Sequence, residues 1–259
     1  MSKKFFYIIL VVLIVAVAVA VFLFLQKNWI DDNKNTIDLP GFKTTLTHPV
    51  ASTVVMARPK ITTDTLPIQF NVPFAPQAPF GEWSDDRQQD GCEEASAMMA
   101  MHWVRGDTSI TLEEAKKEIL AIADWEQAEY GNYHDTSADD TIKRIFNKYY
   151  NYDNVRVDKG ITTDDIINEL EKGNLVVVPV DGIALNNPHF TPPGPERHML
   201  VVIGYDYSTG EFITNDPGTK FGKNYRYKKS VLFNAIRDYP TGYHIPITKV
   251  DKNMIVVEK

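Results

Sequence analysis

The sequence predicts an α+β domain in which helices come first and an antiparallel sheet follows. Three patterns predict this order: an apolar run without Gly or Pro at residues 93–105, helix-capping signals between residues 111 and 165, and short β-branched runs after residue 174. Helices and strands segregated along the chain are typical of α+β domains. The 259 residues, 44% hydrophobic and 24% charged, have an ordinary globular composition. That length suits one domain of about 180 to 200 residues with additional segments.

An apolar segment lies near the N-terminus. Phe5–Leu25 carries no charge, and at about 1.5 Å per residue a helix of this length spans roughly 31 Å, which matches the hydrocarbon core of a membrane. Lys3 and Lys4 precede the segment, so the positive-inside rule places the N-terminus in the cytoplasm and the rest of the chain outside. A cleaved signal peptide is the alternative, but its apolar region is usually only about 7 to 15 residues long. We therefore expect residues 1–26 to form a cytoplasmic stub and an uncleaved transmembrane anchor.

Composition divides the remainder of the chain. Residues 27–66 are rich in Thr, Asn, Asp and Pro and have no sustained periodicity, which is typical of a stalk or linker. The alternation in Ile68–Phe74 then indicates an edge strand interrupted by prolines. We expect the folded domain to occupy residues 67–245, and residues 246–259 to form a tail or a final strand.

Charge and cysteine content exclude several classes of function. The net charge is −7 and no basic run is longer than a pair of lysines, so no nucleic-acid partner is expected. The single cysteine, Cys92, excludes an internal disulfide and a Cys-rich zinc site. No metal or cofactor is expected, and we expect the protein to be a monomer.

The cysteine stands at the start of a predicted buried helix. Residues 93–105 are apolar around most of a helical circumference and run without Gly or Pro to Gly106. The free N–H groups and dipole at a helix N-terminus stabilise a thiolate, so we expect the pKa of Cys92 to lie below that of an ordinary thiol. Glu93 and Glu94 oppose this effect, and a nucleophile here would need a nearby cation such as a histidinium. The alternative is a small buried hydrophobic residue.

Helical and strand patterns follow the cysteine segment in turn. Capping signals predict three helix starts, at Thr111 with Glu114, at Ser137 with Asp140 and at Thr162 with Asp165, the first helix running to about Ala123. The β-branched runs predict four strands, "NLVVVPV" (174–180), "HMLVVIGYD" (198–206), "EFITND" (211–216) and "NYRYKKS" (224–230).

One histidine is distinguished from the other five by its position. His198 begins an apolar strand, and Asp216 ends the next strand. Two antiparallel neighbours joined by a short hairpin would place these side chains together at one edge of the sheet. An imidazole that acts as a base requires an orienting carboxylate of this kind. Either residue alone is more often structural, since "NDPG" is also a common turn.

The four segments "VPFAPQ", "DGCEEASAMMAMHWVRG", "RHMLVVIGYD" and "FITNDPG", in this order, resemble the peptidase C39-like family of papain-like cysteine peptidases. The resemblance covers roughly residues 67–240. It implies a papain-like fold, with Cys92 as the nucleophile and His198 as general base and then general acid. It also implies that Asp216 orients the imidazole and stabilises its cationic form.

The resemblance further implies that Gln77 helps to hold the oxyanion, together with the backbone N–H of Cys92. The chain departs from the family pattern here, because a longer insertion, "APFGEWSDDRQQDG", separates this glutamine from the cysteine. Gln88 and Gln89 lie within the insertion and remain alternatives for the oxyanion donor.

The predicted function is that of a membrane-anchored, extracytoplasmic cysteine peptidase or amidase. Its substrate would be a peptide or protein, with the cell envelope as one source. An unpaired cysteine outside the membrane is an oxidation liability, which favours a catalytic role for Cys92. Two alternatives remain, a non-catalytic membrane-tethered binding module of the same fold and a cysteine amidase of the peptidoglycan-directed or transglutaminase-like type. The Pro-rich loop "NNPHFTPPGPER" before His198 is expected to form one lip of the cleft.

Overall fold

The computed structural model of the protein describes residues 66–259. The apolar segment Phe5–Leu25 and nearly all of the predicted stalk lie outside the described residues, so the predicted anchor is not among the elements below. Within residues 66–259, no helix combines the length and apolar character needed to cross a membrane.

The helices of the described part lie mostly in its first half. They are α1 (Asp86–Gln89), α2 (Cys92–Arg105), α3 (Leu112–Tyr130), α4 (Ala138–Thr141) with a π-helical continuation (Ile142–Tyr149), α5 (Thr163–Glu171), α6 (Gly182–Leu185) and α7 (Lys229–Ala235). The predicted capping boxes of Thr111 and Thr162 are both formed. Ser137 caps α4 as predicted by accepting from the backbone N–H of Asp140.

The strands form one antiparallel sheet, in which their spatial order differs from their order along the chain. They are β1 (Ile68–Gln69), β2 (Val155–Lys159), β3 (Leu175–Val180), β4 (His198–Asp206), β5 (Glu211–Asn215), β6 (Tyr225–Lys228) and β7 (Asn253–Val257). The sheet order is β2-β7-β3-β4-β5-β6, and β1 pairs with β4 beside Gly204. The C-terminal segment, for which a tail or a strand was expected, therefore supplies β7 between β2 and β3.

Both faces of the sheet are covered, so the domain has layers of helix, sheet and helix. One face, including Val177 of β3 and Val201 of β4, packs against α2, α3 and the π-helical segment. The opposite face, including Val176 and Val202, packs against α5 and α7. Burial on both sides explains why "NLVVVPV" and "HMLVVIGYD" are continuous apolar runs without alternation. The predicted helices followed by an antiparallel sheet are thus present.

The end of α3 differs from the prediction. The helix continues to Tyr130 rather than to about Ala123, and it ends at Gly131, whose φ of 72° is left-handed. The residues beyond Ala123 have no Gly or Pro to interrupt the helix, and Glu126 in these turns is buried. A left-handed glycine is a common helix stop, so the sequence signal for this boundary was Gly131 itself.

Candidate active site

Cys92 is the first residue of α2, directly after the N-cap residue Gly91. A Cβ atom on Gly91 would lie only 2.5 Å from the carbonyl oxygen of Arg87, so the approach of α1 to α2 requires glycine at this position. The N–H group of Cys92 belongs to the first turn, where an α-helix has no carbonyl partners of its own. The chain therefore places a thiol and a first-turn backbone N–H at the same point.

His198 and Asp216 meet as the sequence predicted. His198 is the first residue of β4 and lies opposite Val180 of β3, whereas Asp216 follows β5 directly. Pairing of Val201 with Asn215 sets the register of β4 and β5. As a result, Nε2 of His198 lies 2.8 Å from Oδ1 of Asp216, and both side chains are buried.

Asp216 is held by three further donors. The backbone N–H of Gly218 donates to Oδ1 at 3.0 Å, while the hydroxyl of Tyr227 and the amide of Asn187 donate to Oδ2 at 2.7 and 3.3 Å. Burial alone would raise the pKa of this carboxyl, but the positive charge of His198 and these hydrogen bonds outweigh it and lower the pKa. Asp216 is therefore a carboxylate at neutral pH.

The imidazole of His198 is also fixed from its sides. A Cβ atom on Gly218 would lie 2.9 Å from Cε1 of the ring, so the backbone of this turn packs directly against the imidazole. The ring of Phe190 meets the imidazole edge to face at a centroid distance of 5.4 Å. Among residues 66–259, Nδ1 of His198 has no hydrogen-bond partner. The ring thus has one nitrogen committed to Asp216 and one nitrogen available.

The thiol of Cys92 has a partner that the sequence did not indicate. Its Sγ–H donates to Oε2 of Glu93 at 3.0 Å, and no hydrogen bond joins it to His198 within the described residues. Burial, followed by the charge of Glu93, raises the pKa of the Cys92 thiol well above its ordinary value. The expectation of a lowered thiol pKa is therefore wrong for this geometry. Desolvation and the adjacent carboxylate outweigh the helix N-terminus.

A group of buried acids surrounds the start of α2. Oε1 of Glu93 accepts from the backbone N–H of Thr136 at 3.1 Å and from the hydroxyl of Tyr239 at 2.7 Å. Burial, then the charge of Asp135, raises the pKa of Glu93 to about 7. Behind it lies Glu94, which is fully buried. The sequence indicated only that Glu93 and Glu94 suit a helix N-terminus, and their burial depends on segments far along the chain.

Three of the predicted site residues line one cavity of about 940 Å³, namely Gln77, Cys92 and His198. Asp216 lies behind His198, outside the lining. The loop at residues 189–197 forms part of the wall, so the prediction of a Pro-rich lip is confirmed. The structure therefore brings together the four residues singled out in the sequence.

The three candidate glutamines differ in position. Gln77 donates its amide N–H groups to the carbonyl oxygens of Gln88 and Gln89 at 3.0 and 2.9 Å, and its own Oε1 has no partner in the described part of the chain. The Gln88 side chain points towards Glu82 and does not line the cavity. Gln89 is exposed and lines the cavity. Gln77 can act as an oxyanion donor only by releasing one of its backbone bonds, so Gln77 and Gln89 both remain candidates.

Asn187 and Tyr227 were missed in the sequence. Asn187 lies in the loop before β4, and its amide donates to the hydroxyl of Tyr227 at 2.7 Å as well as to Asp216. Tyr227 pairs with Phe212 across β5 and β6. Only the inward position of Tyr227 in a short alternating strand hinted at burial, and nothing local connected it to Asp216.

The site thus combines a helix that begins at a cavity-lining cysteine with a sheet that supplies a buried histidine–aspartate pair. The sequence profile of the Peptidase_C39 like family matches residues 69–240, and the chain belongs to this family. Among solved structures it is similar to a protein named as a C39-like peptidase from Bacillus anthracis, at 15% identity and a TM-score of 0.48, over 74% of this chain and 98% of that one. No curated protein matches the chain.

Proposed function

We propose that the protein is a cysteine peptidase or amidase that hydrolyses a peptide or amide bond through Cys92, His198 and Asp216. The observation that carries the proposal is the buried contact of 2.8 Å between His198 and Asp216. It leaves Nδ1 of a cavity-lining imidazole available in the cavity that Cys92 also lines. Membership of the C39-like family supports the same reaction class.

The chemistry follows from these positions. Sγ of Cys92 attacks the carbonyl carbon of the substrate while Nδ1 of His198 takes the thiol proton. The carbonyl oxygen becomes an oxyanion, and the imidazolium then gives the proton to the leaving amine as the C–N bond breaks. Water, deprotonated by His198, hydrolyses the resulting thioester and regenerates the thiol. Asp216 keeps the ring oriented and stabilises its cationic form.

The oxyanion would be stabilised by the backbone N–H of Cys92, which a helix start leaves unpaired. A glutamine amide is the second donor. The resemblance to the family favours Gln77, and Gln89 is the alternative because its side chain is exposed and lines the cavity.

We propose further that this domain lies outside the cytoplasmic membrane and that Phe5–Leu25 anchors it. The basic residues before that apolar segment support the orientation. Protease added to intact cells should then digest the C-terminal domain and spare the N-terminus. Protection of the C-terminal domain would contradict the proposed orientation.

The reaction is tested with a mixed library of peptides and cross-linked muropeptides, analysed by mass spectrometry. The protein should cleave at least one member, and Cys92→Ala should cleave none. Cleavage confined to muropeptides would select the peptidoglycan amidase among the alternatives. A binding module is indicated instead if the library stays intact and the alkylation rate of Cys92 is unchanged by His198→Ala.

A further inference from the structure

The Cys92 thiol contacts a carboxylate that lies outside the proposed triad. Sγ–H of Cys92 is directed at Oε2 of Glu93 at 3.0 Å. Both side chains are buried, with 6% and 1% of their surface exposed. In this state the thiol proton points to the carboxylate of Glu93 and not to His198, so the nucleophile is protonated and hydrogen-bonded.

Glu93 is held in this position by two other segments. The backbone N–H of Thr136, just before α4, and the hydroxyl of Tyr239, after α7, both donate to Oε1. These contacts leave Oε2 for the thiol alone within residues 66–259. A glutamate that served only the helix N-terminus would not need partners 43 and 146 residues away.

The charges that face Glu93 are mostly acidic. Cys92 and Glu94 lie beside it on α2, Asp135 and Tyr239 approach from the loops, and Glu126 approaches from α3. Of the cations, Arg144 lies 3.8 Å from Glu126, Arg197 lies 3.6 Å from Asp135, and His198 lines the cavity that Cys92 also lines. No lysine or arginine contacts Glu93 itself among the described residues.

We propose that Glu93 is a latch on the nucleophile: its carboxylate holds the Cys92 thiol protonated in the free enzyme, and neutralisation of that carboxylate frees the sulfur to react. This inference rests on the proposed function, because the latch controls the same cysteine that acts there as the nucleophile.

The proton balance of the latch is simple. With Glu93 ionised, the thiol proton bridges sulfur and carboxylate, and loss of that proton would place two negative charges in contact. With Glu93 protonated, its own O–H donates to the sulfur, so a thiolate formed by proton transfer to His198 is stabilised. Because burial and Asp135 raise the pKa of Glu93 to about 7, the change between the two states falls near neutral pH.

The test is the rate of alkylation of Cys92 by iodoacetamide in the full-length protein, measured from pH 5 to pH 9. We expect Glu93→Gln to react about ten-fold faster than wild type at pH 8, equivalent to one unit in the thiol pKa. Below pH 6 the two rates should converge, because the side chain at position 93 is then neutral in both proteins. A ratio that changes with pH in this way is not produced by a loosened fold.

Glu94→Gln is the matched control. Glu94 is the next residue of the same helix and equally buried, but it does not contact the thiol. Burial and then the charge of Glu126 raise the pKa of Glu94 well above its usual value. This favours the neutral carboxyl that glutamine imitates, so the replacement should leave the profile unchanged. Tyr239→Phe serves if Glu93→Gln does not fold. The hydroxyl of Tyr239 stabilises ionised Glu93. Without that hydroxyl, the pH above which Glu93 slows the alkylation of Cys92, the onset, should be higher.

The proposal is overturned if Glu93→Gln alkylates at the wild-type rate or more slowly at pH 8, or if Tyr239→Phe leaves the onset in place. His198→Ala, measured alongside, separates this outcome from the proposed function. A profile that responds to His198→Ala but not to Glu93→Gln leaves the triad standing without the latch. A profile that responds only to Glu93→Gln keeps the latch and removes the triad.

Discussion

Glu126→Gln should make the protein more stable at alkaline pH. Glu126 is completely buried on α3, and its carboxyl group faces that of Glu94 on α2. Arg144 is the nearest cation, with Nη1 at 3.8 Å from Oε1, which is too far for a hydrogen bond. Burial raises the pKa of Glu126 from 4.5 to about 8, although Arg144 opposes the rise. The folded protein therefore keeps a proton that the unfolded chain releases.

The magnitude follows from that pKa. Below pH 4.5 Glu126 is protonated in both states and contributes no pH dependence. As pH rises from 4.5 to about 8, the folded state binds more protons than the unfolded state, so the free energy of unfolding falls. At about 1.4 kcal/mol per pKa unit, the loss approaches roughly 5 kcal/mol. Glutamine is neutral in both states and can donate to Glu94, so the variant avoids this loss.

Urea unfolding of wild type and Glu126→Gln at pH 5, 7 and 9 measures the effect. The two proteins should differ little at pH 5, and the variant should be more stable by several kcal/mol at pH 9, which is on the order of 10 °C in Tm for a domain of this size. Glu129→Gln, an exposed position on the same helix, should behave as wild type throughout. Parallel pH profiles for wild type and Glu126→Gln, or a less stable variant at pH 9, would show that Glu126 does not lower the stability at alkaline pH.

Three further predictions concern catalysis, each measured as kcat/KM on a cleaved peptide with thermal unfolding as the control for folding. Asp216→Asn should lose less activity than His198→Ala, because an amide oxygen can still accept from the ring; equal losses would contradict the orienting role. Gly218→Ala should lose activity on the order of 100-fold, because the added Cβ would lie 2.9 Å from Cε1 of His198 and push the imidazole aside. A variant with wild-type activity would show that the ring tolerates movement. Gln77→Ala should cost about 100- to 1000-fold if Gln77 is the oxyanion donor; a silent Gln77→Ala beside an impaired Gln89→Ala would assign the role to Gln89.

Much of the fold was predictable because its signals are local. The strand "HMLVVIGYD" was predicted with the bounds that β4 has, since a buried apolar run between polar loops permits little else. Thr111 and Thr162 start helices because each capping box is complete within four residues. The pairing of His198 with Asp216 also followed from short-range topology, because a tight hairpin connects adjacent antiparallel strands.

The electrostatics of the site were not predictable, because they depend on distant segments. Tyr239 is 146 residues from Glu93, and its hydroxyl helps to fix the carboxylate that contacts the thiol. The helix N-terminus at Cys92 was visible in the sequence, but the depth of its burial was not, and burial decides the direction of the thiol pKa. Tyr227 likewise reaches Asp216 only through the register of β5 and β6.

The insertion between Gln77 and Cys92 has a structural role that the sequence left open. Within the insertion, Asp86–Gln89 forms α1, and the carbonyl oxygens of Gln88 and Gln89 accept hydrogen bonds from the amide of Gln77. The longer segment therefore folds back onto Gln77, one of the candidate oxyanion donors. This contact explains why position along the chain could not decide between the candidate oxyanion donors.

Acylation of Cys92 during turnover can be detected by acid quenching of the reaction followed by intact-protein mass spectrometry. With a cleaved peptide, the wild-type protein should carry the acyl portion of that peptide as a thioester on Cys92, released by hydroxylamine. Cys92→Ala should carry no adduct and cleave nothing. Cleavage by Cys92→Ala at the wild-type rate, without an adduct in either protein, would contradict the account.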